Sequence, residues 1–189
     1  MKVIQFYKNE TLLIKRAVKQ HRDAQHQLYT KYSPKMLSIC RRYIKDINSA
    51  EEVMLNGFLK VFINLHKFKY EGSFEGWIRR IMVNESISFL RKEKKVLFTE
   101  EIIGYKEESW NNINTKLELD QIQELIDSLP DGYRMVFVLY AIEGYKHFEI
   151  AKMLEISEST SKSQLFKARK ALQKKLNNLK GISDGTIKI

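Results

Sequence analysis

The segment HFEIAKMLEISESTSKSQLFKARK, residues 147–170, carries two apolar stripes at helical spacing on either side of a three-residue break. The first holds Ile150, Ala151 and Leu154; the second holds Leu165, Ala168 and, just beyond the segment, Leu172. Steps of three and four residues put each set on one face of a helix. Two helices joined only by Glu155-Ile156-Ser157 must cross sharply, which requires a small residue at their closest approach, and Ala151 meets that requirement. Ile156 is placed to plug the space between them, and Ser157 to cap the second helix. A helix-turn-helix of this size usually reads duplex DNA; an ordinary amphipathic hairpin is the competing reading.

Advancing 100° per residue places Ser161, Leu165, Ala168 and Leu172 in one narrow arc. The opposite face carries Ser163, Phe166, Lys167 and Lys170, with Lys162 at its edge. A helix that buries small aliphatics while turning a phenyl ring and lysines outward suits the major groove. There, lysines reach phosphates and guanine edges, and a ring meets a thymine methyl.

The rest of the chain also reads as helix. Only 8 Gly and 2 Pro in 189 residues argue against a loop-rich β fold. Ser33-Pro34 marks one expected helix start. Ser49-Ala-Glu-Glu52 matches a capping box, ahead of apolar Val53, Phe58, Val61, Phe62 and Leu65. A further helix is expected from near Ser73 to about Lys92, and Pro130 marks another start.

Charge is segregated along this helical chain. Residues 67–95 hold eight Lys/Arg against four acids, and residues 158–180 hold seven against one. Between them, residues 96–128 hold two Lys against eight acids. The pattern predicts an all-α chain of two small helical domains, 10–95 and 122–180, joined by an acidic linker over 96–121. A bent single domain is the alternative, with Ile102, Ile103 and Trp110 packed onto a lobe.

The net charge of +10 attracts polyanions, either nucleic acid or an acidic membrane surface, although a solvated basic surface would look the same. One cysteine, Cys40, excludes an internal disulfide and a cysteine-built metal site. The four histidines are scattered, and no acid lies at metal-ligand spacing from another ligand type. No metal, cofactor or catalytic residue is therefore expected. Without an apolar run of roughly 20 residues or a secretory leader in MKVIQFYKNE, the expectation is a soluble, cytoplasmic chain with no membrane insertion.

In the first lobe, projection from Trp77 gives a core face of Ile78, Ile81, Met82 and Phe89, with Trp77 at its margin. Just past that margin lie Arg80, Asn84 and Arg91, upstream of RKEKK. An aromatic beside cations and a carboxamide has the composition of a platform for unpaired bases, each stack being worth about 1–3 kcal/mol. Trp77 as plain core is the other reading. On the capped helix, Met54, Leu55 and Leu59 widen the apolar surface beyond one stripe, which suggests a protein partner.

In order along the chain, these pieces resemble a known family. The stretch LYTKYSPKMLSICRRYIKDINSAEEVMLNGFLKVFINLHKFKYEGSFEGWIRRIMVNESISFLRKEKK resembles region two of bacterial RNA polymerase sigma factors, and LPDGYRMVFVLYAIEGYKHFEIAKMLEISESTSKSQLFKARKAL resembles region four. With only a short linker between, the chain looks like an extracytoplasmic-function (ECF) sigma factor. The resemblance implies core RNA polymerase (clamp coiled coil and flap), duplex and melted promoter DNA, and an anti-sigma factor as partners.

It also implies roles by position. Glu51, Glu52, Met54, Leu55, Asn56, Phe58 and Leu59 fall on the surface that docks on the clamp. Lys69, Ser73, Phe74, Trp77, Arg80, Asn84 and Arg91 fall in the segment that captures the minus-ten element. Within it, Asn84 lies where a flipped base is read, and the Lys69–Phe74 loop where one is pocketed. Lys162, Ser163, Gln164, Phe166, Lys167 and Lys170 fall where the minus-thirty-five element is read.

Three departures stand out. Leu55-Asn56 replaces the usual Gln and acid, and Gly57 lowers helix propensity by ~1 kcal/mol in mid-helix, where it would permit a partner's close approach. Ser161 stands at a usually apolar position, implying either loose packing or a bond from its hydroxyl back to a carbonyl. The rival reading is a dimeric helix-turn-helix regulator that binds duplex operator DNA without polymerase.

Overall fold

The computed structural model describes residues 2–93 and 119–184, with side chains described for 10–93 and 121–177. The chain divides into two units, Met1–Glu93 and Lys94–Ile189. The expected linker lies outside the described residues as far as residue 118, as do Ile102, Ile103 and Trp110. Every regular element among the described residues is helical.

The first unit consists of α1 (Lys2–Val18), α2 (Arg22–Tyr43), α3 (Ile47–Asn64) and α4 (Phe74–Lys92), with a short 3-10 turn at Leu65–Lys67. α2 packs against α1, α3 and α4, and α3 packs against α4. The reason is visible in α2 itself: Ala24, Leu28, Tyr32, Met36, Ile39, Cys40 and Tyr43 repeat at three- and four-residue steps and are all buried. Full burial of a large aliphatic side chain contributes about 1.5–3 kcal/mol.

That stripe overrides a local signal. Pro34 lies inside α2 instead of starting a helix. A proline removes one backbone bond, but the apolar register runs unbroken from Leu28 through Tyr32 to Met36, and tertiary packing carries the helix across. The start of α3 also differs from expectation. Asp46 is the N-cap and accepts from the Ser49 N–H at 2.8 Å, so the helix begins before Ser49. A carboxylate there both satisfies an orphan donor and meets the positive end of the helix dipole. α4 begins as expected, with Ser73 as N-cap accepting from Gly76 N–H at 3.0 Å.

The second unit consists of α5 (Leu119–Asp127), α6 (Asp131–Phe137) running into a π turn at Val138–Ile142, α7 (His147–Leu154) and α8 (Glu158–Asp184). α8 packs against α5, α6 and α7. Leu129, Ala168 and Leu172 form a buried cluster against which Leu125, Tyr133, Phe137 and Ala171 pack. The turn falls at the expected place. Glu155 caps α7 in the left-handed conformation (φ 56°), and the Ile156 N–H bonds to the Ala151 carbonyl at 3.1 Å. Ser157 Oγ accepts from Thr160 N–H at 3.0 Å, which caps α8.

Candidate nucleic-acid and partner interfaces

The N-terminal turn of α4 carries an aromatic cluster. Phe68, Phe74 and Trp77 have ring centroids 5.1–5.8 Å apart, and Tyr32 meets Phe74 edge-on at 5.6 Å. Phe74 is buried, which corrects its expected role as a DNA contact: its ring is enclosed by the other three and holds them in place. Trp77 is half-buried, stacked on Phe74 at 19° with part of its surface open. It therefore belongs to the core by one part and to the surface by the other. Lys69, Ser73, Arg80, Asn84 and Arg91 are all exposed.

Within the Lys69–Phe74 loop one residue stands out that the sequence does not single out. Tyr70 is 46% exposed, sits against Phe68 at 4.8 Å, and has a left-handed backbone (φ 61°), with Gly72 at φ 97° two residues later. An aromatic residue held in a conformation that L residues avoid, at the rim of an aromatic cluster, is a local signature of a functional loop. The available signal was a tyrosine two residues ahead of a turn glycine.

α3 shows two faces. Val53, Met54, Gly57, Phe58 and Val61 are buried, whereas Glu51, Glu52, Leu55, Asn56 and Leu59 are exposed. Met54 and Phe58 thus belong to the core and not to a docking surface, a correction with a simple cause: they lie in register with Ala50 and Val61, and Phe58 meets Tyr29 edge-on at 4.9 Å. The solvent face carries Leu55, Leu59 and Ile63 at four-residue steps, 53%, 60% and 61% exposed. Ile63 extends the stripe by a turn and was missed, although its spacing announces it. Gly57 also has an internal explanation. A β-carbon there would lie 2.4 Å from Met82 Sδ, so the close approach it permits is that of α4.

On α8, Lys162 and Lys170 are exposed, and Phe166 and Lys167 are half-buried. Ser163 is 2% exposed and Gln164 fully buried. The outward placement expected for Ser163 is therefore corrected. A projection onto one stripe presumes a single packed face, whereas α8 has three helical neighbours and its first turns are enclosed on more than one side. Ser163 Oγ–H bonds to the Thr160 carbonyl at 2.9 Å, but neither side-chain polar atom of Gln164 has a partner. Lys162 pairs with Glu158 at 2.9 Å, one turn earlier, and this holds the Glu158 carboxyl below its usual range.

Ser161 is fully buried within the stripe, as projected. Its Oγ lies 2.9 Å from His147 Nδ1. The His147 ring stacks on Tyr140 with centroids 4.6 Å apart, and the Arg169 guanidinium lies 5.5 Å from the Tyr140 ring centre. Burial, with help from Lys162 and Arg169, pushes the His147 imidazole below its ordinary value, against a smaller opposing effect of Glu158.

Burial pushes the Cys40 thiol up to about 11, far from a reactive thiolate. Among the described residues, no group of three His, Cys, Asp or Glu is placed to hold a metal ion, and no helix is long and apolar enough to cross a membrane.

A helix-turn-helix in one unit and an aromatic-and-cation face in the other is an architecture suited to nucleic-acid binding. Comparison with known proteins agrees. Residues 28–96 match the sigma-70 region 2 family, and residues 119–172 match sigma-70 region 4. The ECF RNA polymerase sigma factor SigW of Bacillus subtilis is 30% identical over 185 residues, spanning 89% of this chain and 99% of that protein. The ECF RNA polymerase sigma-E factor of Escherichia coli is 26% identical over 183 residues, spanning 90% and 95%. Among solved structures, the sigma factor RpoE of Bartonella quintana, crystallised with the anti-sigma factor NepR, shares the fold (TM-score 0.52, 19% identity, 80% and 96% of the two chains). The chain belongs to the ECF sigma factors of the sigma-70 family.

Proposed function

We propose that this chain binds core RNA polymerase and directs it to promoters, where it recognises two DNA elements and helps to open the duplex. The observation that carries this reading is the co-linear match of both units, 28–96 and 119–172, within a similarity that runs the full length of a sigma factor.

The docking surface is the exposed face of α3. Leu55, Leu59 and Ile63 supply a continuous apolar stripe, flanked by Glu51, Glu52 and Asn56, that would lie on the clamp coiled coil. The second unit would engage the polymerase flap. The minus-ten element is captured as single strand at the rim of the α4 cluster, where Tyr70 and Trp77 offer ring faces to unpaired bases. Asn84 offers a carboxamide to a base edge, and Lys69, Arg80 and Arg91 follow the backbone. Melting is favoured because a base that leaves the stack regains that energy in a pocket. Ser73 acts through the helix start it caps, and Phe74 through the packing of its neighbours. The minus-thirty-five element is read as duplex by α8 through Lys162, Phe166, Lys167 and Lys170.

Each reader alone is weak. Joined in one chain and mounted on polymerase, the first to bind raises the effective concentration of the second. No catalytic group is required of the chain, since the polymerase performs the chemistry. Its place of work is then the cytoplasm, and an anti-sigma protein is the expected regulator.

Run-off transcription tests the proposal. Purified core polymerase with this chain should initiate at discrete sites on a genomic library that core alone ignores. Absence of selective initiation, together with tight binding of the free chain to a palindromic duplex, would favour a dimeric regulator instead.

A further inference from the structure

At the position where region four usually carries an apolar residue, this chain has Ser161, and the structure buries it completely. A fully buried hydroxyl is costly to leave without a partner. Here the partner is a side chain from the other helix of the pair: His147, the first residue of α7, meets Ser161 Oγ at 2.9 Å. His147 is in turn fixed from its flat side by Tyr140 at 4.6 Å, and Tyr140 lies beneath Arg169, two turns along α8 from Ser161. Four residues from three elements thus form a closed clasp that begins and ends on α8.

We infer that His147 is a positioning residue for minus-thirty-five recognition: through Ser161 and Tyr140 it sets the angle at which α8 is presented to duplex DNA. The inference rests on the reading of α8 as the minus-thirty-five reader. Its physical basis is directional. An apolar contact between α7 and α8 would tolerate sliding, whereas a hydrogen bond fixes distance and angle. Lys162, the residue after Ser161, stands on the reading face, so a small rotation of α8 moves it relative to the groove. A misplacement of about 1 Å is enough to forfeit a bidentate contact.

The clasp favours a neutral imidazole. The charged groups around His147 are Lys162, Arg169 and Glu158 on α8, and on its own helix start Lys146 and Glu149; Tyr140 faces the ring from the π turn. Burial and then Lys162 oppose protonation most, Glu158 favours it, and Arg169 opposes it least. With the folded pKa lowered, the clasp's contribution is fully present above the unfolded value, about 6.5, and is lost as the pH falls through the lower folded value.

The test is a double-mutant cycle in the full-length chain, assembled with core polymerase. The probes are promoter duplexes enriched from a randomised minus-thirty-five pool by the wild-type holoenzyme. His147→Phe keeps a ring on Tyr140 but strands the Ser161 hydroxyl, and is expected to weaken binding roughly tenfold and relax base preference. Ser161→Ala should cost roughly threefold, and the double variant should bind at least as well as His147→Phe alone. Because Ser161→Ala is small and helix-favouring, it keeps the cycle readable even if His147→Phe folds poorly. In that event, recovery of folding in the double variant is the expected coupling. Lowering the pH from above the ordinary histidine value to well below it should narrow the gap between wild type and double variant.

Additive effects, or variants that melt earlier yet bind with wild-type affinity and base preference, would overturn the inference. So would a gap that widens at low pH, which would place the imidazole on a phosphate and not in the clasp. If the wild-type holoenzyme enriches no sequence at all, the reading of α8 fails first, and the two failures are told apart.

Discussion

Tyr70 brings strain and exposure together in one residue. The left-handed conformation (φ 61°) costs an L residue about 1–2 kcal/mol, and the contact with Phe68 returns about 0.5–1.5 kcal/mol. The two nearly cancel, so packing alone gives little reason for a tyrosine here. Asparagine tolerates this conformation far better, so Tyr70→Asn exchanges released strain for a lost aromatic contact. Thermal stability is expected to change by less than about 1 kcal/mol. The ring is nevertheless lost as a stacking surface, and at about 1–3 kcal/mol per base the rate of open-complex formation should fall by roughly one order of magnitude. Permanganate footprinting of melted thymines, beside a calorimetric melt, measures both. A variant that melts early but opens promoters normally would make Tyr70 a packing residue. His147 carries the same lesson in the other unit. Its role was invisible because a single histidine has no period, and its partner lies fourteen residues away across a turn.

At the scale of the element, the sequence is legible where a cap or one dominant apolar stripe decides the outcome. The Ser73 cap and length of α4, the turn at 155–157 and the stripe Ser161, Leu165, Ala168 and Leu172 all read directly from spacing and cap chemistry. It was illegible where tertiary packing outvoted a local signal, as at Pro34, or where a helix had several neighbours, as at Ser163. Spacing points Met54 to a partner face, and a family pattern points Phe58 and Phe74 to interfaces, yet all three are buried in the core. Gly57 is the sharpest case. A glycine in mid-helix suggests an external visitor, yet the visitor is Met82 of the same unit. Gly57→Ala gains ~1 kcal/mol of helix propensity but pushes into a fully buried side chain, and overpacking costs about 1–3 kcal/mol. The clash should prevail, lowering stability by up to about 2 kcal/mol. In a Met82→Ala background the obstacle is gone, so the same substitution should become neutral or stabilising. Chemical denaturation of the four proteins checks the sign change. Equal destabilisation in both backgrounds would refute the contact as its cause.

For the whole molecule, the question is whether its excess of positive charge acts as a diffuse cloud or as two placed faces. A net charge of +10 attracts DNA in either case. The distinction lies in counterion release, which is local to each phosphate contact. Neutralising one phosphate contributes about 0.9 to the log–log salt slope on duplex DNA and about 0.7 on single strands. Lys170 stands on the helix proposed to meet duplex, and Arg80 on the face proposed to meet melted strand; both are exposed. With holoenzyme in an open complex, Lys170→Ala should therefore reduce the slope by about 0.9 and Arg80→Ala by about 0.7. The double variant should lose about the sum, because the two proposed contacts belong to separate units. Lys19, equally exposed but outside both faces, serves as the control, and Lys19→Ala should leave the slope unchanged. On a duplex that cannot melt, Arg80→Ala should lose its effect while Lys170→Ala keeps it, since only the second unit then has its substrate. If all three substitutions flattened the salt dependence equally on both templates, charge would act as a cloud, and the division of labour between the two units would have to be abandoned.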